Sequence, residues 1–185
     1  MKTKIKLPKL HLVCANDQLR PVISHILITK EEVVATDANI LVVRRTSELF
    51  SEEFIAAMPA RILVHKDQWK AFYNGSSDIT IEGDIIWVHY EEHKVSHSVK
   101  IEGEGLTYPN YAAIFPVEED TVEPSEIGFN PFLLKTLAEA MLSPSQTNKG
   151  FSFKFYGEDK AIVVRPIDID NNSKGIIMPI TLSLM

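Results

Sequence analysis

Two stretches of this chain follow one order of local signals, and that repetition limits what it can fold into more than any single motif does. From residue 61, RILV reads as a strand (61–64) and KDQWKAFY as a helix (66–73), followed by alternating segments that read as strands at 78–82, 85–90 and 95–101. Gly75 suits the stop of that helix, and Gly83-Asp84 and Glu92-His93 mark turns. From residue 126 the order returns. EIGFN (126–130) reads as a strand, and PFLLKTLAEAML (131–142) as a helix with Pro131 suited to its first turn. FSFKFYG, AIVVRPIDI and GIIMPITL then read as three more strands.

The segment 3–46 looks like the same unit with its helix cut out. KIKLP is followed by HLVCANDQLRP, whose proline and Asn-Asp pair disfavour a helix between residues 9 and 24, and then by strands at 25–29, 32–36 and 40–45. A short capped helix is expected near 51–58 in TSELFSEEFIAAM. A unit of some 50 to 60 residues cannot bury both its helix and its sheet face alone, so units must pair. The fold class is therefore α+β, with repeated strand-helix-three-strand units forming antiparallel sheets and helices on one face.

The chain has 185 residues, 45% of them hydrophobic, enough for one substantial core or two small ones. No run approaches the length of a membrane span, the start lacks the apolar stretch of a signal peptide, and the expected location is cytoplasmic. The single cysteine, Cys14, reads as a small core residue. The net charge of -6 argues against a surface that grips nucleic acid everywhere, although Lys2, Lys4, Lys6 and Lys9 gather near the start and EEDTVEPSE (118–126) is acidic.

No catalytic constellation is present, so no enzyme and no cofactor is expected. There is no phosphate-binding glycine loop, no G-x-S-x-G and no H-E-x-x-H. Asp37 suits an Asx turn. His89, His93 and His97 share one hairpin; a turn of even length sets His89 opposite Ser96 and His97 opposite Val88, on opposite faces, whereas an odd-length loop would set the two histidines opposite each other, and with no close carboxylate or cysteine to complete a spacing no metal is expected there. IDIDNN (167–172) alternates carboxylates without the glycine and glutamate of a calcium loop, and reads as a hairpin turn. Trp69, Phe72 and Tyr73 have helical spacing and read as core.

Four motifs, in one order, carry a resemblance. LRPVISHILI with EEVVATDANILVV is similar to the L-R-P-x-L stretch and V-A-T-D-G-H-R-L turn of the bacterial DNA polymerase III beta subunit, the sliding clamp. YPNYAAIFP (108–116) resembles that family's [FY]-P-D-Y-R-x-[IVL]-[IVL]-P connector. EIGFNPFLLKTL resembles its I-x-F-N-x-x-[YL]-L-x-x-[AL]-L helix entry, and GIIMPITL its Y-V-[IVL]-M-P-M-R-L terminus. The resemblance implies a complete clamp-like domain at 1–106 with its first helix reduced or absent, a connector at 107–122 and half a domain at 123–185.

It also implies a function: a processivity-factor-like accessory protein of DNA replication or repair, with a groove for short peptides of partner enzymes. Carried over position by position, that groove comprises Thr36, Ala38, Asn39, Ile40 and Leu41, then Pro109, Ala113 and Ile114, then Asn130 and Leu133, and finally Met178, Pro179, Ile180, Thr181 and Leu182. Along the last strand Ile176, Met178, Ile180 and Leu182 would share one face and Ile177, Pro179 and Thr181 the other. The family's Gly-His-Arg is replaced by Ala38-Asn39-Ile40, its terminal arginine by Thr181 and its connector arginine pair by Ala112-Ala113, so a less cationic groove is expected. Lys66, Lys70 and Lys135 would face duplex DNA through its phosphates, without reading sequence. The partners implied are duplex DNA, clamp-binding peptides of polymerases or repair proteins, and further copies of the chain. A clamp-like adaptor or decoy that does not encircle DNA is the alternative.

Overall fold

The computed structural model describes residues 7–73, 78–90, 95–100, 105–116, 121–123, 126–142, 147–168 and 172–180. Strands β1 (His25–Thr29), β2 (Glu32–Thr36) and β3 (Ile40–Arg45) form a meander. They are followed by helix α1 (Glu52–Ala57), strand β4 (Arg61–His65) and helix α2 (Lys66–Tyr73). Strands β5 (Asp78–Glu82), β6 (Ile85–Tyr90) and β7 (Val95–Lys100) come next. Helix α3 (Pro131–Met141) and strands β8 (Phe151–Lys154), β9 (Ile162–Pro166) and β10 (Lys174–Ile177) complete the order.

Seven strands make one antiparallel sheet in the order β4-β1-β2-β3-β10-β9-β8, and β5-β6-β7 make a second. The seam of the larger sheet joins β3 to β10, with Ile40 opposite Ile177 and Val43 opposite Lys174.

The central strands are runs of Val, Ile and Leu because both of their faces are covered. Alternation sorts them. Ile26, Ile28, Val33, Ala35, Ile40 and Val42 enter a large core beneath α2 and α3. Leu27, Val34, Leu41 and Val43 enter a smaller cluster with Tyr108 on the opposite, outer face. Ile79, Ile86 and Val88 of the second sheet join the large core.

Each helix has a local cause. Ser51 caps α1 by accepting the Phe54 N–H at 3.3 Å. Asn130 caps α3 by accepting the Phe132 N–H at 2.9 Å, just ahead of Pro131. On α2, fully buried Trp69 donates its indole N–H to the Pro8 carbonyl at 2.9 Å, tying the helix to the N-terminal segment. Gly175 lets α3 approach β10: a Cβ there would lie 2.8 Å from the Met141 sulfur and 3.2 Å from the Leu41 carbonyl oxygen.

Residues 9–24 contain two short 3-10 turns, Leu10–Leu12 and Pro21–Ser24, and no α-helix. Cys14 is buried, its thiol pushed up to about 12 by burial. His89 pairs with Ser96 and Val88 with His97, the even-turn register; His93 lies outside the described residues.

Two expected strands differ. EIGFN forms only a single bridge, Gly128 to Ile180, because no strand among the described residues runs alongside it to take up the rest of its backbone groups. The terminal strand stops at Ile177, since Pro179 has no N–H to continue the ladder. The other elements end within a few residues of expectation, β8 and β9 being shorter than the runs read as strands.

Candidate peptide groove at the connector

The site begins at a turn. Asp37 accepts the N–H groups of Asn39 and Ile40, both at 2.8 Å, which closes the β2–β3 hairpin as an Asx turn. Thr36 donates its hydroxyl to the Ile40 carbonyl at 2.7 Å and accepts the Ala38 N–H at 3.1 Å. Ala38 is thereby held at a φ of 77°, the left-handed region that a glycine would occupy without a steric cost.

Beside this turn runs the segment 105–116, fixed by two tyrosines. Tyr108 is buried and its hydroxyl reaches the Val34 carbonyl at 3.4 Å. Tyr111 donates to the Glu32 carboxylate at 2.8 Å, and the two rings meet edge to face at 6.5 Å. Burial pushes the Tyr108 hydroxyl well above the usual tyrosine range. Partial burial and then the bond to Glu32 push that of Tyr111 up to about 12. Lys174 lies 3.5 Å from Glu32 and 4.7 Å from the Phe115 ring centroid.

The third wall is the 3-10 turn Pro21–Ser24. His25, buried at the start of β1, donates its Nδ1–H to the Pro21 carbonyl at 2.9 Å and meets His65 edge-on at 5.1 Å. The three walls border a mainly apolar, open-sided cavity of about 440 Å³. Pro21, Val22 and Ile23 line it on one side, Thr36 and Ala38 at the turn, and Leu106, Pro109 and Ile114 on the connector. That volume is within the range of small-ligand pockets.

Of the expected groove residues, Thr36, Ala38, Pro109 and Ile114 thus come together. Met178 packs on the same outer-face cluster, with its N–H bonded to the Asn39 carbonyl at 2.9 Å. Asn39 is exposed, Pro179 half-buried and Ala113 exposed, none of them lining the cavity. Ile180 is exposed, its N–H bonded to Gly128. Thr181 and Leu182 lie outside the described residues.

Four residues belong elsewhere. Leu41 is 2% exposed and forms the outer-face core; Ile40, one residue away, is turned by strand alternation into the helix-face core. Asn130 is used as the cap of α3, and Leu133 packs on the helix-face core. Conversely, the lining at Leu19–Ile23 and Gly105–Thr107 was not named from the sequence. The LRP stretch that carries part of the resemblance was its only signal.

The cations of the helix face are engaged. Lys66 bonds the Ala15 carbonyl at 3.1 Å and the Asn16 side chain. Lys70 pairs with Asp67 at 3.2 Å, and Lys135 lies 3.9 Å from Glu139, which also holds Lys9 at 3.1 Å. Among the described residues no group of three His, Cys, Asp or Glu side chains is placed to hold a metal, and no helix is long and apolar enough to cross a membrane.

The fold is that of the DNA sliding clamps. A C. crescentus beta sliding clamp superposes with a TM-score of 0.68 at 13% identity, over 94% of this chain and 62% of that one. A Helicobacter pylori beta clamp bound to a DNA ligase peptide gives 0.66 at 14%, over 96% and 64%. The Bacillus subtilis sliding clamp gives 0.64 at 11%, over 98% and 65%. The chain therefore has the architecture of roughly two thirds of a bacterial clamp subunit. No family model matches its sequence, and neither does any curated protein.

Proposed function

We propose that this chain is a non-enzymatic, clamp-like accessory protein of DNA replication or repair that receives short apolar peptides of partner enzymes in the connector groove. The reading divides the chain into a clamp-like domain at 1–106, a connector at 107–122 and a half-domain at 123–185. One observation carries it: Thr36, Ala38, Pro109 and Ile114, picked out by their positions within the clamp-like motifs, line one apolar cavity. A clamp of the same fold, that of H. pylori, has been solved with a ligase peptide. An apolar floor suits such a segment because a few buried anchors carry most of the affinity of a peptide.

The second reading, an adaptor or decoy that does not encircle DNA, draws on the engaged cations of the helix face. With Lys66 and Lys70 held by the chain's own groups, the set expected to face a duplex is left with Lys135 to meet a phosphate. Self-association fits both readings. Among the described residues the large sheet ends on β4 and β8, each with one unpaired edge that a second copy could cover.

Titration calorimetry with a six-residue peptide carrying a glutamine and two bulky apolar residues tests the groove. An affinity of order micromolar is expected, because ordering the peptide offsets much of the buried area. Ile114→Asp is the informative variant, since Ile114 lines the cavity and is 44% exposed, whereas Leu41→Asp would strike the core and unfold the chain. Ile114→Asp should weaken the peptide at least about tenfold with an unchanged circular dichroism spectrum. No heat from the natural chain with any such peptide would reject the groove. Salt-dependent retention on duplex DNA separates the first reading from the second.

A further inference from the structure

The other face of the sheet holds a larger cavity, about 640 Å³, that the groove reading leaves unused. It opens beside the N-terminal segment, where Leu7, Pro8 and Lys9 line it just ahead of a 3-10 turn. The 3-10 turn Leu10–Leu12 sits between α2 and α3, and three residues in a tight turn fill less space than a helix would. The opening is bounded by Tyr73 at the end of α2, by Ala138 and Leu142 on and after α3, and by Leu7 and Leu49.

Charge around this cavity runs against the charge of the chain. Among the described residues, Lys9, Arg44, Lys135 and Lys149 line it with two carboxylates, Glu48 and Glu139, in a protein with a net charge of -6. Glu139 is shared between Lys9 and Lys135, and Glu48 is held by Arg44 at 3.2 Å. Lys149, exposed, has no ion-pair partner among the described residues. The excess is positive, and the cations come from four separate segments around one apolar floor. A group with a single charged oxygen pair would meet one or two of them; a phosphate or polyphosphate meets several.

We infer that this cavity binds a nucleotide unit, with its base against Tyr73 and the leucines and its phosphates among Lys9, Lys135 and Lys149. The volume lies in the range of pockets that enclose small organic ligands. The Tyr73 ring, which has the Lys9 ammonium 5.7 Å from its centroid and the His11 ring at 5.9 Å, offers with the nearby leucines a surface that any base can use once Lys9 turns to the phosphates, and the cations supply the charge-dependent part of the affinity. The unit arrives either as a free nucleotide or as part of a single strand. The site is independent of the connector groove, which lies on the opposite face.

The test uses ATP with a fluorescent group on the ribose, competed by unlabelled ATP, by a short oligothymidylate and by tripolyphosphate. Saturable binding is expected, with tripolyphosphate at least about tenfold weaker as a competitor than ATP because it has no base to bury. Ala138→Trp, which fills the cavity, should abolish binding. Lys149→Glu, on an exposed residue with no ion-pair partner among the described residues, should weaken it about tenfold with the spectrum of the folded protein intact. Stronger competition by the oligonucleotide assigns the site to a strand, and stronger competition by ATP to the free nucleotide; both support it. Absence of saturable binding of both ATP and oligonucleotide overturns the inference, as does tripolyphosphate competing as well as ATP. Unchanged binding in a folded Ala138→Trp variant overturns it too.

Discussion

The two faces of the seven-stranded sheet are covered by different means. The helix face is roofed by α2, α3 and the segment 7–13, and its core reaches through Ile79 and Ile86 into the second sheet. The outer face depends on the stretch 105–116, an irregular chain with one 3-10 turn, fixed through Tyr108, Tyr111 and Phe115. Helices satisfy their own backbone and tolerate the loss of a neighbour; an irregular segment is held only by what its side chains reach. The cavity beside the connector is built on that second kind of cover. Its shape therefore rests on two tyrosines more than on any strand.

Removing one of those tyrosines should break the comparison most strongly. Tyr108→Ala deletes a buried ring from the smaller cluster and should cost about 3 kcal/mol of stability, measured by urea unfolding, and should remove peptide binding in the variant that remains folded. A loss below about 1 kcal/mol would mean that the outer cluster holds the connector without Tyr108.

On the helix face the sharpest probe is Gly175→Val. Its side chain would begin 2.8 Å from the Met141 sulfur, and Met141 is a flexible side chain that can shift only against Leu137 and the sheet. Overpacking of that kind should cost about 1–3 kcal/mol and displace α3, lowering the thermal midpoint without a specific effect on the connector. A stable variant with wild-type midpoint would show that α3 is less closely seated on β10 than the geometry requires.

The smallest effect is a matter of pH. Because the Tyr111 hydroxyl is raised to about 12 in the folded chain, its neutral form is favoured there, and the stabilisation is fully present below the ordinary value of 10.0. It is lost as pH climbs from about 10 to about 12, when the phenolate repels Glu32. Burial drives the Tyr108 hydroxyl in the same direction. Peptide affinity followed across that window should fall, and Tyr111→Phe should flatten the fall; an unaltered profile in that variant would separate connector docking from Tyr111.

The sequence exposed the elements that have strong period and strong punctuation. The meander from 25 to 45, Ser51 ahead of α1 and Asn130-Pro131 ahead of α3 all carry their reasons locally. Local reasons failed where partners decide. EIGFN has the composition of a strand, but only Gly128 finds a neighbour, and Pro179 ends β10 early in a run that reads as continuous. Of the residues carried over from the resemblance, Thr36, Ala38, Pro109 and Ile114 line one cavity, because the hairpin turn and the connector that hold them lie side by side. Ile40 and Leu133, which the same motifs contain, face the helix-side core, since a motif gives position along the chain and not the side of the sheet. The wall at Leu19–Ile23 is held by Asp17, which accepts the N–H groups of Leu19 and Arg20, and by a bond from His25 to the Pro21 carbonyl that no spacing announces.

The seam between β3 and β10 has a consequence in time. Ile40 must wait for Ile177, and Val43 for Lys174, so the middle of the large sheet closes by a contact that spans most of the chain. Closing so long a loop is entropically costly before its contacts form, which makes such closures slow. Until that closure, β3 presents an unpaired apolar edge with Leu41 and Val43 on one side and Ile40 and Val42 on the other. The nascent protein thus carries its most adhesive strand early and its protecting partner late, and its yield on refolding should fall as concentration rises.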